Sequence, residues 1–385
     1  MKDVRTWIEI DAKPLRHNAE QFLRLLPPAT RLMAVIKSNA YGHGLVQVAN
    51  LLASNQLPVI GNHSLWFGVD SIVEALRLRR EGIRNPILVL GYTLPSRLAE
   101  AGTNGIVLTV SNFDALKAIA GLRKRPPIHI KIDTGMHRQG FLAQDVSKLL
   151  NFLKRFKIAP QGIYTHFASA KDPAYPEYTT SQLGQFKKVV LAFRQSGLRP
   201  PVCHTAATGG TLLFPESHLD MVRIGMGLYG YWPSPESGAL LSVPKFKNLK
   251  FKDLQPVLTW KAVVGEVKEI PKGSPVGYDG TERVKRAAKI AVLPVGYWHG
   301  YDRGLSGIGE VLIRGRRAKV LGRVSMDMTV VDVSGIPSVK VGDESVLIGR
   351  QGKEAVWADE LAEKIGTAHY EFLTRINPLI HRIIV

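Results

Sequence analysis

Lys37 closes the apolar run AVIK and opens into SNAYGHG, a stretch that holds Asn39, Tyr41, His43 and two glycines. A primary amine at the end of a buried strand suits covalent catalysis through a Schiff base. Desolvation and neighbouring cations pull its ordinary pKa of about 10.4 down and free the nucleophilic form. Comparable side chains recur along the chain. Lys131 and Asp133 close HIKID, His166 closes IYTH, His204 closes PVCH, and Arg223 interrupts MVRIG. Singly, a buried histidine more often satisfies a backbone carbonyl, and a strand-end arginine more often makes an ion pair. Together, at the ends of successive apolar runs, they describe one rim.

Two aldehyde partners suit the lysine: an aldol substrate or pyridoxal 5′-phosphate (PLP). The second needs a phosphate cradle, and the glycine-rich turns ATGG (207–210) and RIGMGLYG (223–230) offer backbone N–H groups for one. It also needs a partner for its ring nitrogen. An aspartate there would protonate the ring and make it a strong electron sink, whereas an arginine leaves it unprotonated and weaker. Arg223 is the well-placed candidate. A weak sink disfavours a long-lived carbanion and suits an enzyme that removes an α-proton and promptly returns it, which points to racemisation.

These residues need a scaffold that fixes strand ends and leaves the following loops free. Eight β-like runs (RLMAVIKSN, SLWFGVD, NPILVLG, GIVLTV, PIHIKID, GIYTHFA, PVCHTAA and MVRIG) alternate with amphipathic stretches such as SIVEALRLRREG and SQLGQFKKVVLAFRQSG. That rhythm predicts a (β/α)8 TIM-type barrel over residues 12–245, with a doubly wound open sheet as the competing arrangement. From about residue 250 closely spaced β-runs divided by Gly, Pro and Asp turns predict a β-rich domain over 246–385, to which residues 1–11 add a strand. Residues 233–250 read as a linker.

The chain has 385 residues, 45% of them hydrophobic and 22% charged, within the range of ordinary globular proteins. MKDVRTWIEID lacks the apolar region of a signal peptide, no segment is apolar enough to span a membrane, and Cys203 is the single cysteine, so the expectation is a cytoplasmic protein without disulfides or a metal site. The formal net charge is +19. Its basic residues are spread through segments such as LRLRREGIR, GLRKRPP and KFKNLKFKD. They form no nucleic-acid-binding motif and read as a solvated basic surface rather than a nucleic-acid or membrane contact.

AVIKSNAYGHG, HIKIDTGMHRQG, YTHFASA, MVRIGMGLYG, VGYDGT and RVSMDM, in this order over nearly the whole chain, resemble the bacterial alanine racemase family. The resemblance implies a fold-type III PLP enzyme, a head-to-tail homodimer that interconverts L- and D-alanine and supplies D-alanine for peptidoglycan. Lys37 matches the cofactor lysine and one of two acid/base groups. Tyr278 matches the other, delivered from the partner subunit to the opposite face. His166 and Arg223 match the supporting relay. Arg138 matches the arginine beside the substrate carboxylate, and Lys131 a lysine that many members carboxylate to hold that arginine. Met326 would give its backbone N–H to the carboxylate, with Asp327 as support. Tyr41, Thr208, Gly225, Met226 and Tyr370 match phosphate contacts, and His204 joins the cofactor-binding set.

Ala207 stands where the family usually has asparagine, and His299 where an aspartate is common; both bear on substrate preference. His43, His63 and His129 read as loop or structural residues, and Cys203 as a small buried packing residue. Three rivals share the barrel: a PLP homeostasis protein, a fold-type III decarboxylase, and a broad-specificity or serine/lysine racemase. Tyr278 and SMDM argue against the first. The absence of an acidic ring-nitrogen partner and of a late cysteine motif argues against the second. The third is closest in pattern.

Overall fold

The computed structural model describes residues 4–54, 64–172, 174–241, 251 and 253–385. The chain folds as an N-terminal (β/α)8 barrel followed by a C-terminal β-rich domain. Contacts divide it into one unit of Pro14–Ser38 and Val48–Gln255 and another of Met1–Lys13, Asn39–Gln47 and Pro256–Val385.

In the first unit the eight strands are Arg31–Val35, Leu65–Val69, Ile87–Val89, Val107–Val110, Ile128–Asp133, Gly162–Tyr164, Val202–His204 and Met221–Ile224. The first seven pair in parallel in succession, and Met221–Ile224 pairs with Arg31–Val35. A parallel bridge between Ala207 and Arg223, with the Arg223 amide donating to Ala206 O at 3.0 Å, closes the ring. Nearly every strand residue is buried, as expected where one face meets the barrel interior and the other meets helices. All eight predicted strands are present.

The helices carry the signals that mark them in the sequence. In Val146–Arg155 the residues Val146, Leu149, Leu150 and Leu153 form one buried stripe at helical spacing. Ser71 and Asn112 cap their helices by accepting from the amides of Glu74 and Ala115. SIVEALRLRREG becomes the helix Ile72–Arg80, which ends where Gly82, at φ 85°, donates to Arg79 O while Ile83 reaches back to Leu78 O. The linker expected at 233–250 is corrected in part: Pro235–Leu241 is a short helix, with proline pre-set for its first turn, and residues 242–250 lie outside the described residues, as does His63.

The second unit is built on a sheet ordered Glu266–Ile270, Ala288–Leu293, Thr329–Asp332, Arg316–Leu321, Glu310–Ile313, Glu344–Gln351, Leu258–Val263, Thr6–Ile10 and His381–Ile384. Leu258–Val263 alternates buried and half-buried residues, the period-two pattern of a strand with one face to a core. The N-terminal strand pairs antiparallel with Leu258–Val263 and parallel with His381–Ile384. Buried Trp260 donates to Thr6 Oγ1 at 2.9 Å and meets Tyr301 edge-on. Among the described residues no helix is long and apolar enough to cross a membrane.

Candidate active site

The barrel ends its fifth, sixth, seventh and eighth strands in a single cluster around Arg223. This arginine is 3% exposed and pairs with no carboxylate among the described residues. Its Nη1 donates to His204 Nδ1 at 2.8 Å, and its Nη2 serves Thr205 O at 2.8 Å, Thr165 O at 2.9 Å and His166 Nδ1 at 3.1 Å. Its Nε–H finds no acceptor among the described residues. Burial lowers the guanidinium to about 10, which still leaves it charged at neutral pH. The Tyr164 ring lies 5.2 Å from it, a cation–π contact that compensates part of the desolvation.

An arginine can only donate, so these distances fix the imidazole tautomers. His204 Nδ1 accepts, so its proton sits on Nε2 and is donated to His129 Nδ1 at 2.9 Å. His129 in turn carries its proton on Nε2, which is buried without a partner among the described residues. His166 likewise accepts at Nδ1 and keeps its proton on Nε2. Burial first, and Arg223 next, hold His166 and His204 well below the ordinary imidazole value and His129 at about 3. All three are neutral at physiological pH. Tyr164 stacks on His204 with centroids 4.6 Å apart and planes within 6°, which fixes the ring.

Lys131 is 5% exposed, donates to Gln139 Oε1 at 3.3 Å and sits 5.5 Å from the Tyr164 ring. Burial, then Arg138 and Arg223, then Lys37 lower its ammonium to about 8, against the opposing pull of Asp133. Asp133 itself accepts from the amides of Gly135 and His137, at 2.9 and 3.0 Å, and so shapes the turn that leads to Arg138. Four cations thus face one another with a single carboxylate among them.

Two loops beyond the last strands provide backbone donors. The helices Thr208–Leu213 and Met226–Tyr229 start at Ala207 and Gly225 without side-chain caps, and the Gly225 amide meets Thr208 Oγ1 at 3.2 Å. Ala207 leaves one helix start uncapped, where an asparagine side chain would compete with an incoming anion. Uncapped N–H groups, a hydroxyl and an unneutralised arginine are the donor set a phosphorylated, nitrogen-containing aromatic ring requires. The residues present therefore fit PLP.

Lys37 lies two residues past the first strand, half-buried, and opens a turn of the wrong hand. Ser38, Asn39, Ala40 and Tyr41 have φ of 54°, 55°, 54° and 51°, a left-handed turn made entirely of non-glycine residues. Each such residue costs about 1–2 kcal/mol. The following residues hold it. His43 Nδ1 lies 3.1 Å from both Ala40 O and Tyr41 O, the Gly44 amide donates to Asn39 O, and Arg382 donates to Gly42 O from Nε and Nη2 at 3.0 and 2.9 Å. A Cβ on Gly42 would stand 2.2 Å from Leu373 O, so only glycine fits. His43, read as a loop residue, is a fully buried clamp, lowered to about 3 by burial.

The β-rich unit holds the remaining candidates. Tyr278 begins a short turn and is 69% exposed; Asp279, at φ 60°, pairs with Arg323. Met326 is 52% exposed, and its carbonyl accepts from the Trp298 amide at 3.0 Å. Tyr370 meets Tyr41 edge-on at 6.3 Å, and burial raises its phenol to about 12. Asp327 and His299 share a cavity wall with Arg5. His299 Nδ1 accepts from the Gly296 amide, and burial and Arg5 keep it below its ordinary value while Asp327 opposes them. The first unit brings together Lys131, His166, His204 and Arg223, with Arg138 and Lys37 in electrostatic range, and separately Thr208 with Gly225.

The family model for the alanine racemase N-terminal domain matches residues 10–233, and that for the alanine racemase C-terminal domain matches residues 257–384. The chain belongs to the alanine racemase family. It is 39% identical to an alanine racemase of Symbiobacterium thermophilum over 98% of this chain and 96% of that one. The crystal structure of alanine racemase from Bacillus anthracis with bound L-Ala-P superposes with a TM-score of 0.89 at 33% identity, covering 99% and 95% of the two chains. A histidine racemase from Leuconostoc mesenteroides also superposes, at TM-score 0.86 and 29% identity, covering 100% and 99%. Racemases are isomerases, and membership of this family makes the chain one.

Sequence reasoning passed over Tyr164 and His129 as parts of the site. Each stands two residues before a candidate, His129 before Lys131 on the same strand and Tyr164, the last residue of its strand, before His166. Period-two alternation puts such pairs on one face.

Proposed function

We propose that the protein is a PLP-dependent alanine racemase using two bases, Lys37 of one subunit and Tyr278 of its partner in a homodimer. The observation that carries this reading is the setting of Arg223, free of carboxylates among the described residues, whose Nε–H is unclaimed there and whose other donors are engaged by neutral imidazoles and backbone carbonyls. When bound, PLP supplies a conjugated ring that makes the Cα–H of an attached amino acid more acidic. Thr208, Gly225 and Met226, with the Tyr41 and Tyr370 hydroxyls, hold its phosphate. Arg223 donates to its ring nitrogen without protonating it, and His204 and His129 keep that arginine in place.

Arg138 and, across the dimer, the partner's Met326 N–H hold the substrate carboxylate, with Asp327 as support for the latter. A carboxylated Lys131 gives Arg138 the anion its surroundings lack. Lys37 exchanges the α-proton on one face. The partner's Tyr278 exchanges it on the other, with the His166 Nε2–H directed to its phenol oxygen. The enzyme works in the cytoplasm and supplies D-alanine for peptidoglycan.

Tyr278→Phe tests the scheme. General acid–base groups contribute about 100- to 10,000-fold, so solvent exchange of the α-proton should fall by about that factor from one enantiomer and far less from the other. Equal losses would refute two-base chemistry. Mixing Lys37→Ala and Tyr278→Phe proteins should restore partial activity if sites are shared across a dimer.

The likeness to a histidine racemase supports a second reading, a racemase that accepts larger side chains. A panel of L-amino acids scored by chiral separation decides between them.

A further inference from the structure

We propose that the barrel carries a separate oligophosphate site on its outer flank, where Arg79, Arg80, Arg84 and Arg97 converge on one cleft. The cleft measures about 720 Å³ and lies between the helices Ile72–Arg80 and Leu98–Thr103. Arg79, Arg80 and Arg84 belong to the last helical turn and the connection that leads into the strand Ile87–Val89. In a parallel barrel such connections lie at the amino ends of the strands, away from the lysine rim. The volume is that of a small-molecule site.

Three of the four arginines have no carboxylate partner among the described residues. Arg79 is half-buried and spends its donors on carbonyls, at 2.8 Å to Ile83 O, 2.9 Å to Asn85 O and 3.2 Å to Asn104 O. Its guanidinium is thereby immobilised while its charge stays uncompensated. Arg80 and Arg84 are exposed and make no hydrogen bond or ion pair among the described residues. Arg97 pairs at 2.5 Å with Glu100, the one carboxylate on the cleft wall.

Cations in a last helical turn are ordinarily explained by the helix dipole. That covers Arg79 and Arg80 but not Arg84 and Arg97, which arrive from other segments. Arg317, by contrast, is surrounded by carboxylates and meets Glu310, Glu354 and Glu360. Three guanidinium charges in excess of the cleft's one carboxylate match consecutive phosphates: the forks of Arg80 and Arg84 are open to their oxygens, while Arg79, its donors spent on carbonyls, contributes charge. Val73, 58% exposed, and Leu76 add an apolar ledge beside it. A duplex laid over the surface would not reach half-buried Arg79.

The test is calorimetric titration of the PLP-loaded full chain, so that the cofactor's own phosphate site is filled. Linear tripolyphosphate should bind one per chain, about tenfold more tightly than sulfate at matched ionic strength. Arg80→Glu combined with Arg84→Glu should weaken it by about tenfold or more, with racemisation rate and unfolding midpoint unchanged. ATP binding more tightly than tripolyphosphate assigns the ledge to a base, and equal binding assigns the site to phosphate alone; both support it. Equal affinity for sulfate, indifference to the double charge reversal, or displacement by short duplex DNA at lower concentration would each overturn it. The site does not depend on the racemase reading.

Discussion

Replacing His129 by leucine isolates the end of the Arg223–His204–His129 chain. His204 is 0% exposed, and its Nε2–H has His129 Nδ1 as its acceptor at 2.9 Å. Leucine removes that acceptor and leaves a buried donor unpaired, which costs about 1–3 kcal/mol. His204 then escapes the cost by moving its proton to Nδ1. That turns an N–H toward Arg223 and breaks the 2.8 Å bond. Arg223 keeps its carbonyl partners, so racemisation should fall by about tenfold, corresponding to about 1.4 kcal/mol, rather than vanish. Asparagine at 129 places an amide oxygen close to where Nδ1 stood and should recover most of the loss. Urea unfolding gives the stability, steady-state turnover the rate, and nitrogen chemical shifts of labelled histidine the His204 tautomer. If leucine and asparagine behave alike, the acceptor is not what matters and the chain has no positioning role.

Lys131 offers a pH test. Between its folded value of about 8 and the ordinary 10.5 the unfolded chain holds a proton that the folded chain has released, so its contribution to stability rises with pH across that window. In carbonate-free buffer the wild type should therefore gain on Lys131→Met as pH rises from 8 towards 10.5, by on the order of 3 kcal/mol. A flat difference in urea midpoints would refute the assignment. Arg382→Met strips the donors from Gly42 O, Asn377 O and Ile380 O. It should cost about 3 kcal/mol or more and speed amide exchange through residues 38–45; unchanged exchange there would show that the turn holds itself.

The barrel was legible because each strand is a short apolar run and each helix a 3.6-residue stripe, both local patterns. The polar strand ends His166, His204 and Arg223 stood out for the same reason, as breaks in apolar runs. The partnerships among them were not legible. Nothing within a strand says that His129 accepts a hydrogen bond from His204, which lies 75 residues away. Pro235–Leu241 was missed because proline and serine mark a turn and a helix start equally well. The handedness of SNAYGHG was hidden too, since serine, alanine and tyrosine have no preference for positive φ and adopt it only under contacts from the C-terminal segment.

That turn makes the segment beside Lys37 a latch with two settings. Four residues wound against their own chirality, at about 1–2 kcal/mol each, keep that hand only while contacts from outside the turn hold it. With His43 and Arg382 in place the latch is shut, since their bonds to Ala40 O, Tyr41 O and Gly42 O hold the turn that follows the lysine. Loosen either clamp and the whole turn springs at once. Damage to the C-terminal strand should therefore register as an abrupt loss of the lysine's placement rather than as a slow drift.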